Sequence, residues 1–501
     1  LDKAARKAQA EYANETALPY YNRALALEEH REWRREQIEI LHILGRREEE
    51  AASLKILAAN PQANPVETAL LWGRYYESTA SYAEAQATVE QALLAGHQTG
   101  RMVDRIRCLN QLGLIARRRG DYDDATVWYN QVVNLFQDAA GYAADEGQVL
   151  AQALNGLGIV HRQQGRFDEA RTCYERALDL YRAAQNRRGE AETLNSLGVT
   201  AFYQRAFEAA LAYHQEALSI RQTIGDRAGE GISLLNLAQA TRDAGDYGQA
   251  QQYLRAALNI QQAVGNRWEQ VVIWNDMGIL FQELGDLPRA ESCLQQGLDL
   301  CHEIGHKVGI TYLMSNLALV MRDGMKLPEA ERLLVEGLAL VQQQTKDDKY
   351  QSAVFLSYLS TVNLQSGKLK KAIQQAEKAL AMRRETGLHL LAADDLATLA
   401  AAHLKANDVV SAVSYAEKSL AILQECDGQG PEFPQRDYFV CYRVMTAAGQ
   451  TQTARAALQA ACKLVMDRAD KIIDPALRQS FLQKVAINRQ IVAAAAQAGQ
   501  S

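Results

Sequence analysis

Twelve regularly spaced alanines constrain the fold of this 501-residue chain more than any other feature. Ala17, Ala51, Ala85, Ala125, Ala170, Ala210, Ala250, Ala290, Ala330, Ala372, Ala412 and Ala454 recur at steps of 34 residues at first and mostly of 40 later. Twelve residues ahead of them a second column reads Gly113, Gly158, Gly198, Ala238, Gly278, Ala318, Ser360 and Ala400. A third, seven residues behind, includes Ala24, Ala58, Ala92, Ala177, Ala217, Ala257, Gly297 and Gly337. Small side chains at fixed offsets let two helix axes approach closely, which an antiparallel helix hairpin requires. Repetition at this period means that each hairpin buries its apolar face against the next, so twelve stacked hairpins are expected. Helix ends follow the same spacing. Gly225, Gly265 and Gly305 fall where a second helix should end in a left-handed residue, and Pro288 and Pro328 where one should begin.

Composition narrows the class. With 8 prolines, abundant Ala and Leu and few β-branched residues, the chain suits an all-α fold. A net charge of -6 removes any whole-chain basic footprint for nucleic acid or anionic lipid. No apolar run approaches the roughly 20 residues that span a bilayer. The seven cysteines, an odd set without a C-x-x-C pair, argue against a disulfide framework and for a cytoplasmic location. No phosphate-binding loop, dinucleotide fingerprint, zinc-protease helix or serine elbow occurs, so neither catalysis nor a cofactor is expected. Cys301, His302 and His306 come nearest to a metal cluster but lack further ligands at matching spacing, and the histidines equally suit a helix C-terminus. The run Arg117-Arg118-Arg119 reads as a solvated helix end.

The small-residue and Ala columns resemble those of the tetratricopeptide repeat over nearly the whole chain. That resemblance implies an α-solenoid, a right-handed superhelix of about twelve helix hairpins with a C-terminal capping helix over the last apolar face. Residues 1–100, with shorter units and Asn60-Pro61 and Asn64-Pro65 turns, are expected to form an arm. Residues 101–426 form the array of 40-residue repeats, and residues 427–501 hold the last repeat and the cap. The two stretches meet at the loop DGQGPEFP, Asp427 to Pro434, and the tail from Asp474 reads as one amphipathic helix.

Counted from the small residue of each first helix, positions −4, −1, 0 and +3 are apolar and form the packed face. Positions −6, −3, +1 and +4 cluster about 130° away at 100° per residue, and the resemblance implies that they line the concave wall. The −3 column carries Asn110, Asn155, Asn195 and Asn275, with Ser315; the +4 column carries Arg117, Arg162, Arg242 and Arg322, with Gln282. Asn supplies both a donor and an acceptor to the main chain of an extended peptide, and Arg forks onto carboxylates. The same residues would equally pair with the neighbouring unit. Phe202, Tyr203 and Tyr312 add aromatic surface of the kind that forms binding hot spots, or that packs on the next helix. Asp243, Glu283 and Asp323 at +5 disfavour a purely anionic ligand.

Units of the form LNxLGxxxRxxGD and a tail like DPALRQSFL resemble the C-terminal sensor region of bacterial signal-transduction ATPases with numerous domains. The resemblance implies a sensor that binds a protein or peptide inducer in the groove, with an upstream nucleotide-binding module of the same polypeptide as its second partner. A constitutive scaffold or oligomerisation module, and a small-molecule sensor with a pocket near Phe202, Tyr203 and Tyr312, remain as alternatives. The chain opens at Leu1 already inside a helical pattern and is expected to be part of something longer, with no nucleic-acid or membrane partner.

Overall fold

Each ruler alanine lies in the second helix of one hairpin of antiparallel helices. The computed structural model describes residues 1–10, 14–79, 81–99, 101–136, 144–344, 348–426 and 430–498, so residues 427–429 of the expected loop lie outside the described residues. Among the described residues there are 26 α-helices, a single 3-10 turn at His389–Leu391 and no strand. The first hairpins are α1 (Asp2–Ala10) with α2 (Asn14–Leu27), α3 (Arg31–Ile43) with α4 (Arg47–Ala59), and α5 (Pro65–Ser78) with α6 (Tyr82–Thr99). Then come α7 (Met102–Arg119) with α8 (Tyr122–Leu135), α9 (Ala144–Gln163) with α10 (Phe167–Ala183), and α11 (Arg187–Tyr203) with α12 (Phe207–Thr223). The middle holds α13 (Arg227–Ala244) with α14 (Tyr247–Val264), α15 (Arg267–Glu283) with α16 (Leu287–Ile304), and α17 (Lys307–Asp323) with α18 (Leu327–Gln344). The last three are α19 (Lys349–Gln365) with α20 (Leu369–Glu385), α21 (Ala392–Lys405) with α22 (Val409–Glu425), and α23 (Pro434–Ala447) with α24 (Thr451–Lys471). No helix is long and apolar enough to cross a membrane among the described residues.

The hairpins close through the columns read from the sequence. Every ruler alanine except Ala51 is buried, and each is the fourth residue of its second helix. The small residue of each first helix admits the side chain four residues beyond the ruler. A Cβ added to Gly113, Gly158, Gly198 or Gly278 would lie 2.5–2.7 Å from Tyr129, Tyr174, His214 or Leu294 respectively. Where the column carries Ala238 or Ala318, the residues at the matching register are Leu254 and Leu334, both buried.

Helix α4 breaks the rule by one residue. Glu50 is its fourth residue and is fully buried, while Ala51 is half-buried. The Glu50 carboxylate meets His42 Nδ1 at 2.7 Å and accepts from Arg47 at 2.6 Å. Burial raises its pKa, but the hydrogen bond and charge of His42, with Arg47, outweigh that and hold it below the ordinary carboxylate range. The Ala column could not reveal this, because an alanine happens to stand next door.

The chain divides into two compact units. One comprises Leu1–Ala244, Gln249–Ile273 and Leu300–Lys307; the other Gly245–Gly248, Trp274–Asp299 and Val308–Ser501. In the first unit the amino-terminal hairpins return to the carboxyl ends of α14 and α16. Asn14 Nδ2 donates to Val264 O at 2.7 Å, Leu44 lies against Gly265, and Gly45 lies against Ile304. In the second unit the last helices return to the start of α14 and the end of α15. Arg468 Nε donates to the Tyr247 hydroxyl at 2.9 Å, and Ser480 Oγ donates to Leu284 O at 2.6 Å. The tail from Asp474 is two helices rather than one, α25 (Pro475–Gln483) and α26 (Ala486–Ala498). The break is satisfied by side chains: Asn488 Nδ2 donates to Phe481 O and Arg489 Nη1 to Gln483 O, both near 3 Å, at 3.1 and 3.0 Å. α26 then packs on α23 and α24, burying Ile491.

Candidate functional site

Successive first helices pack against one another in each unit, as α7 on α9 and α21 on α23, whereas contacts between successive second helices of the repeated hairpins are sparse. The side on which neighbours crowd is the inside of the curve, so first helices form the inner wall. In the first unit the residues facing outward from that wall stand at −6, −2, +1 and +5. Arg107, Gln152, Glu192, Arg118, Gln163 and Tyr203 at −6 and +5 are exposed, and Gln111, Ser196, Ile159 and Val199 at −2 and +1 are half-buried. The −3 and +4 columns sit one step deeper than the sequence reading placed them, because the next first helix leans on that side.

Each sequence-identified residue has a definite place. Asn110 Nδ2 donates to Val149 O in the following unit at 3.0 Å, and Asn195 Oδ1 lies 2.9 Å from His214 Nδ1. Asn275 Oδ1 accepts from Asn316 Nδ2 at 2.7 Å. Arg162 lies over the Tyr203 ring at 5.3 Å, and Gln282 Nε2 donates to Asp323 at 2.8 Å. Arg242 pairs with Asp243 at 3.1 Å, and burial lowers the pKa of Arg117, which sits beside Tyr129. Arg322, 6% exposed, holds Asp323 at 2.8 Å and reaches Thr361 Oγ1 at 3.4 Å. Phe202 is half-buried, its ring 5.8 Å from those of both Tyr203 and Phe207. Tyr203 and Tyr312 are 58% and 48% exposed.

These bonds leave capacity unused. In the first unit Asn110 Oδ1, Asn155 Oδ1, Asn195 Nδ2, Arg117 Nε and Arg162 Nε are buried without a hydrogen-bond partner inside the protein. A buried polar atom left unpaired costs about 1–3 kcal/mol.

The inner wall of the second unit is arranged differently. Tyr358 and Thr398 at −2, Thr361 at +1 and Asp394 at −6 are buried, and residues 431–434, which lead into α23, lie across Asp394 and Tyr358. The Asp394 carboxylate accepts from the main-chain N–H groups of Glu432 and Phe433, each at 3.0 Å. The Tyr358 hydroxyl donates to the Glu432 carboxylate. The Phe433 ring has Arg436 at 4.9 Å and Arg322 at 5.5 Å. Behind them, Arg383 lies 3.1 Å from Asp395, and Arg436 Nη2 lies 2.8 Å from Asp437. Burial pushes the Asp395 carboxyl up to about 7 against the pull of Arg383, and burial with the Asp394 charge pushes Glu432 up to about 6.

Family models described as tetratricopeptide repeat match residues 149–223, 229–303, 309–385 and 105–144, together more than half of the chain. The chain belongs to the tetratricopeptide-repeat family. No curated protein matches it as a sequence. Among solved structures, this tetratricopeptide array is similar to BtubC (BKLC) from P. vanneervenii at 22% identity and TM-score 0.36, covering 45% of this chain and 91% of that one. It is similar to the apo quorum sensor NprR from B. thuringiensis at 12% identity and TM-score 0.49, covering 72% and 98%. A third is the signal transduction ATPase with numerous domains with a tetratricopeptide repeat sensor from Pyrococcus horikoshii, at 14% identity and TM-score 0.43, covering 68% and 52%. This chain therefore spans about half of that ATPase's length.

Sequence reasoning did not single out Tyr358, Asp394, Asp395, Glu432, Phe433, Arg436 or Asp437. A signal was present: two adjacent aspartates stand inside the otherwise apolar run LLAADDLATLAAAHL of one tetratricopeptide helix. Such a pair is affordable there only if cations face it. The Cys301, His302 and His306 set does not converge, since Cys301 is buried, His302 is exposed, and His306 stacks on Trp268 with ring centroids 3.8 Å apart. Of the arginine run, Arg118 pairs with Glu77 at 3.1 Å and Arg119 with Asp121.

Proposed function

We propose that this chain is the peptide-sensing part of a larger cytoplasmic signalling protein, and that the inner wall of the first unit holds an extended protein or peptide inducer. The observation that carries this is the exposed polar row Arg107, Gln152, Glu192, Arg118, Gln163 and Tyr203 on successive first helices, with the Asn110, Asn155 and Asn195 amides directly behind it. Successive first helices stand roughly 10 Å apart, and an extended chain advances about 3.3 Å per residue. One asparagine per three peptide residues is thus the natural register, with Asn supplying the donor or acceptor each main-chain amide needs. Tyr203, with Arg162 over its ring, offers a rigid aromatic anchor beside that track. Glu192 and Arg118 on the same wall argue for a ligand of mixed charge.

Residues 1–100 are, on this reading, the arm that joins the sensor to an upstream nucleotide-binding module. Binding would act by linkage, biasing the array toward whichever curvature the ligand prefers. The test is selection of random peptides on the purified chain. Enriched peptides should lose about tenfold in affinity with Asn155→Ala, the equivalent of roughly 1.4 kcal/mol. Peptides that bind Asn155→Ala and Asn195→Ala undiminished, or the absence of any enriched peptide, would sink the reading.

A further inference from the structure

We propose that the inner wall of the second unit is a binding site for a peptide segment carrying consecutive Glu and Phe, and that the chain's own residues 431–434 occupy it in cis. The same wall positions differ between units. Arg107, Gln152 and Glu192 at −6 are exposed where Asp394 is 2% exposed, and Ser196 at −2 is half-buried where Tyr358 is 5% exposed. What covers Asp394 and Tyr358 is a stretch of four residues, Pro431 to Pro434, that belongs to no helix until its last member.

The contacts are those of peptide recognition. One carboxylate, Asp394, accepts both successive main-chain N–H groups, which fixes the backbone and excludes proline at either place. The Tyr358 hydroxyl selects an acidic side chain, and the guanidinium groups of Arg322 and Arg436 clamp an aromatic ring. Removing the segment would leave a polar receptor and not an apolar hole, because Arg322, Arg383 and Arg436 already face Asp323, Asp395 and Asp437. A tethered segment enjoys an effective concentration of about millimolar, so a free peptide of the same chemistry competes only when the tethered copy is weakened or the free one binds better. The required partner is a protein or peptide presenting Glu-Phe in an accessible, extended stretch. This site lies wholly in the second unit and does not depend on the first wall binding anything.

The probe is the synthetic peptide acetyl-Gly-Pro-Glu-Phe-Pro-amide, titrated calorimetrically into the full chain. With the tethered side chains removed by Glu432→Ala and Phe433→Ala together, the peptide should bind at least tenfold more tightly than to the unaltered chain. Adding Tyr358→Phe should remove most of the preference for Glu over Gln in the peptide, a change that mere loop packing would not produce. Phe433→Leu is a milder opening should the double variant fail to fold. If a folded opened variant shows no gain over the unaltered chain, or binds a scrambled peptide equally well, the proposal is wrong.

Discussion

Two stretches built on one repeat grammar have been finished in opposite ways. In the first unit, glycines at 113, 158 and 198 receive Tyr129, Tyr174 and His214, and the inner wall is left open with Tyr203 58% exposed. In the second, Ser360 and Ala400 stand at the register of buried Ala376 and Ala416, and the wall is roofed by the chain's own Glu432 and Phe433. The buried ionisable groups differ in the same sense. Besides the buried Glu50, held below the ordinary carboxylate range by His42 and Arg47, the first unit keeps two histidines, buried His214 and half-buried His306, each brought down to about 4 chiefly by burial. The second keeps carboxyls inside, Asp395 and Glu432, brought up. The repeat thus dictates the helix positions while leaving their chemistry free, and two units of one fold can answer differently to the same medium.

The largest expected effect would break this contrast if it fails. A histidine whose folded pKa is about 4 stabilises above its ordinary value near 6.5 and loses that contribution as pH falls from 6.5 to 4. His214 alone should therefore withdraw about 3 kcal/mol from the first unit across that window. Asp395 runs the other way: its folded pKa of about 7 means that stability present below about 4 is lost as pH rises toward 7. Hydrogen exchange corrected for intrinsic rates should show residues near 214 opening more readily at pH 4.5 than at pH 8, and residues near 395 the reverse. Movement of both in one direction would refute the opposition.

Packing gives the next contrast. Gly198→Ala puts a methyl 2.5 Å from the His214 ring and should cost about 2 kcal/mol in urea unfolding, whereas Ser360→Ala, at the register of Ala376, should cost under about 1 kcal/mol. Equal costs would show that the glycine column is not a size match. Glu50→Ala restores the common residue of that column but strips His42 and Arg47 of their shared carboxylate. Those partners are each about a fifth exposed and regain water, so a loss of about 1–2 kcal/mol is expected in thermal melting, not a gain. The smallest effect has the opposite sign. Met325, at φ 61 and largely exposed, holds a left-handed turn position, and Met325→Gly should raise stability by about 0.5–1 kcal/mol.

Most of the fold was legible because its determinants are local. Gly158 and Tyr174 lie 16 residues apart and meet in every hairpin built this way, so their spacing is readable without coordinates. Glu50 escaped because Ala51 imitates the expected pattern one place along. The candidate wall was legible in part. The asparagine and arginine columns were visible, but which of them pairs with the neighbouring helix depends on how far each first helix leans on the next.

From its sequence alone the chain is committed to a run of helix hairpins that nest through their smallest residues, because those contacts fall at short, fixed separations. Tertiary structure decided what lies on the inner walls and how each unit closes. Asn14 reaches Val264 across 250 residues, and Arg468 reaches Tyr247 across 221. Such meetings follow from a small rotation summed over many hairpins, a quantity that no single interval of the sequence contains.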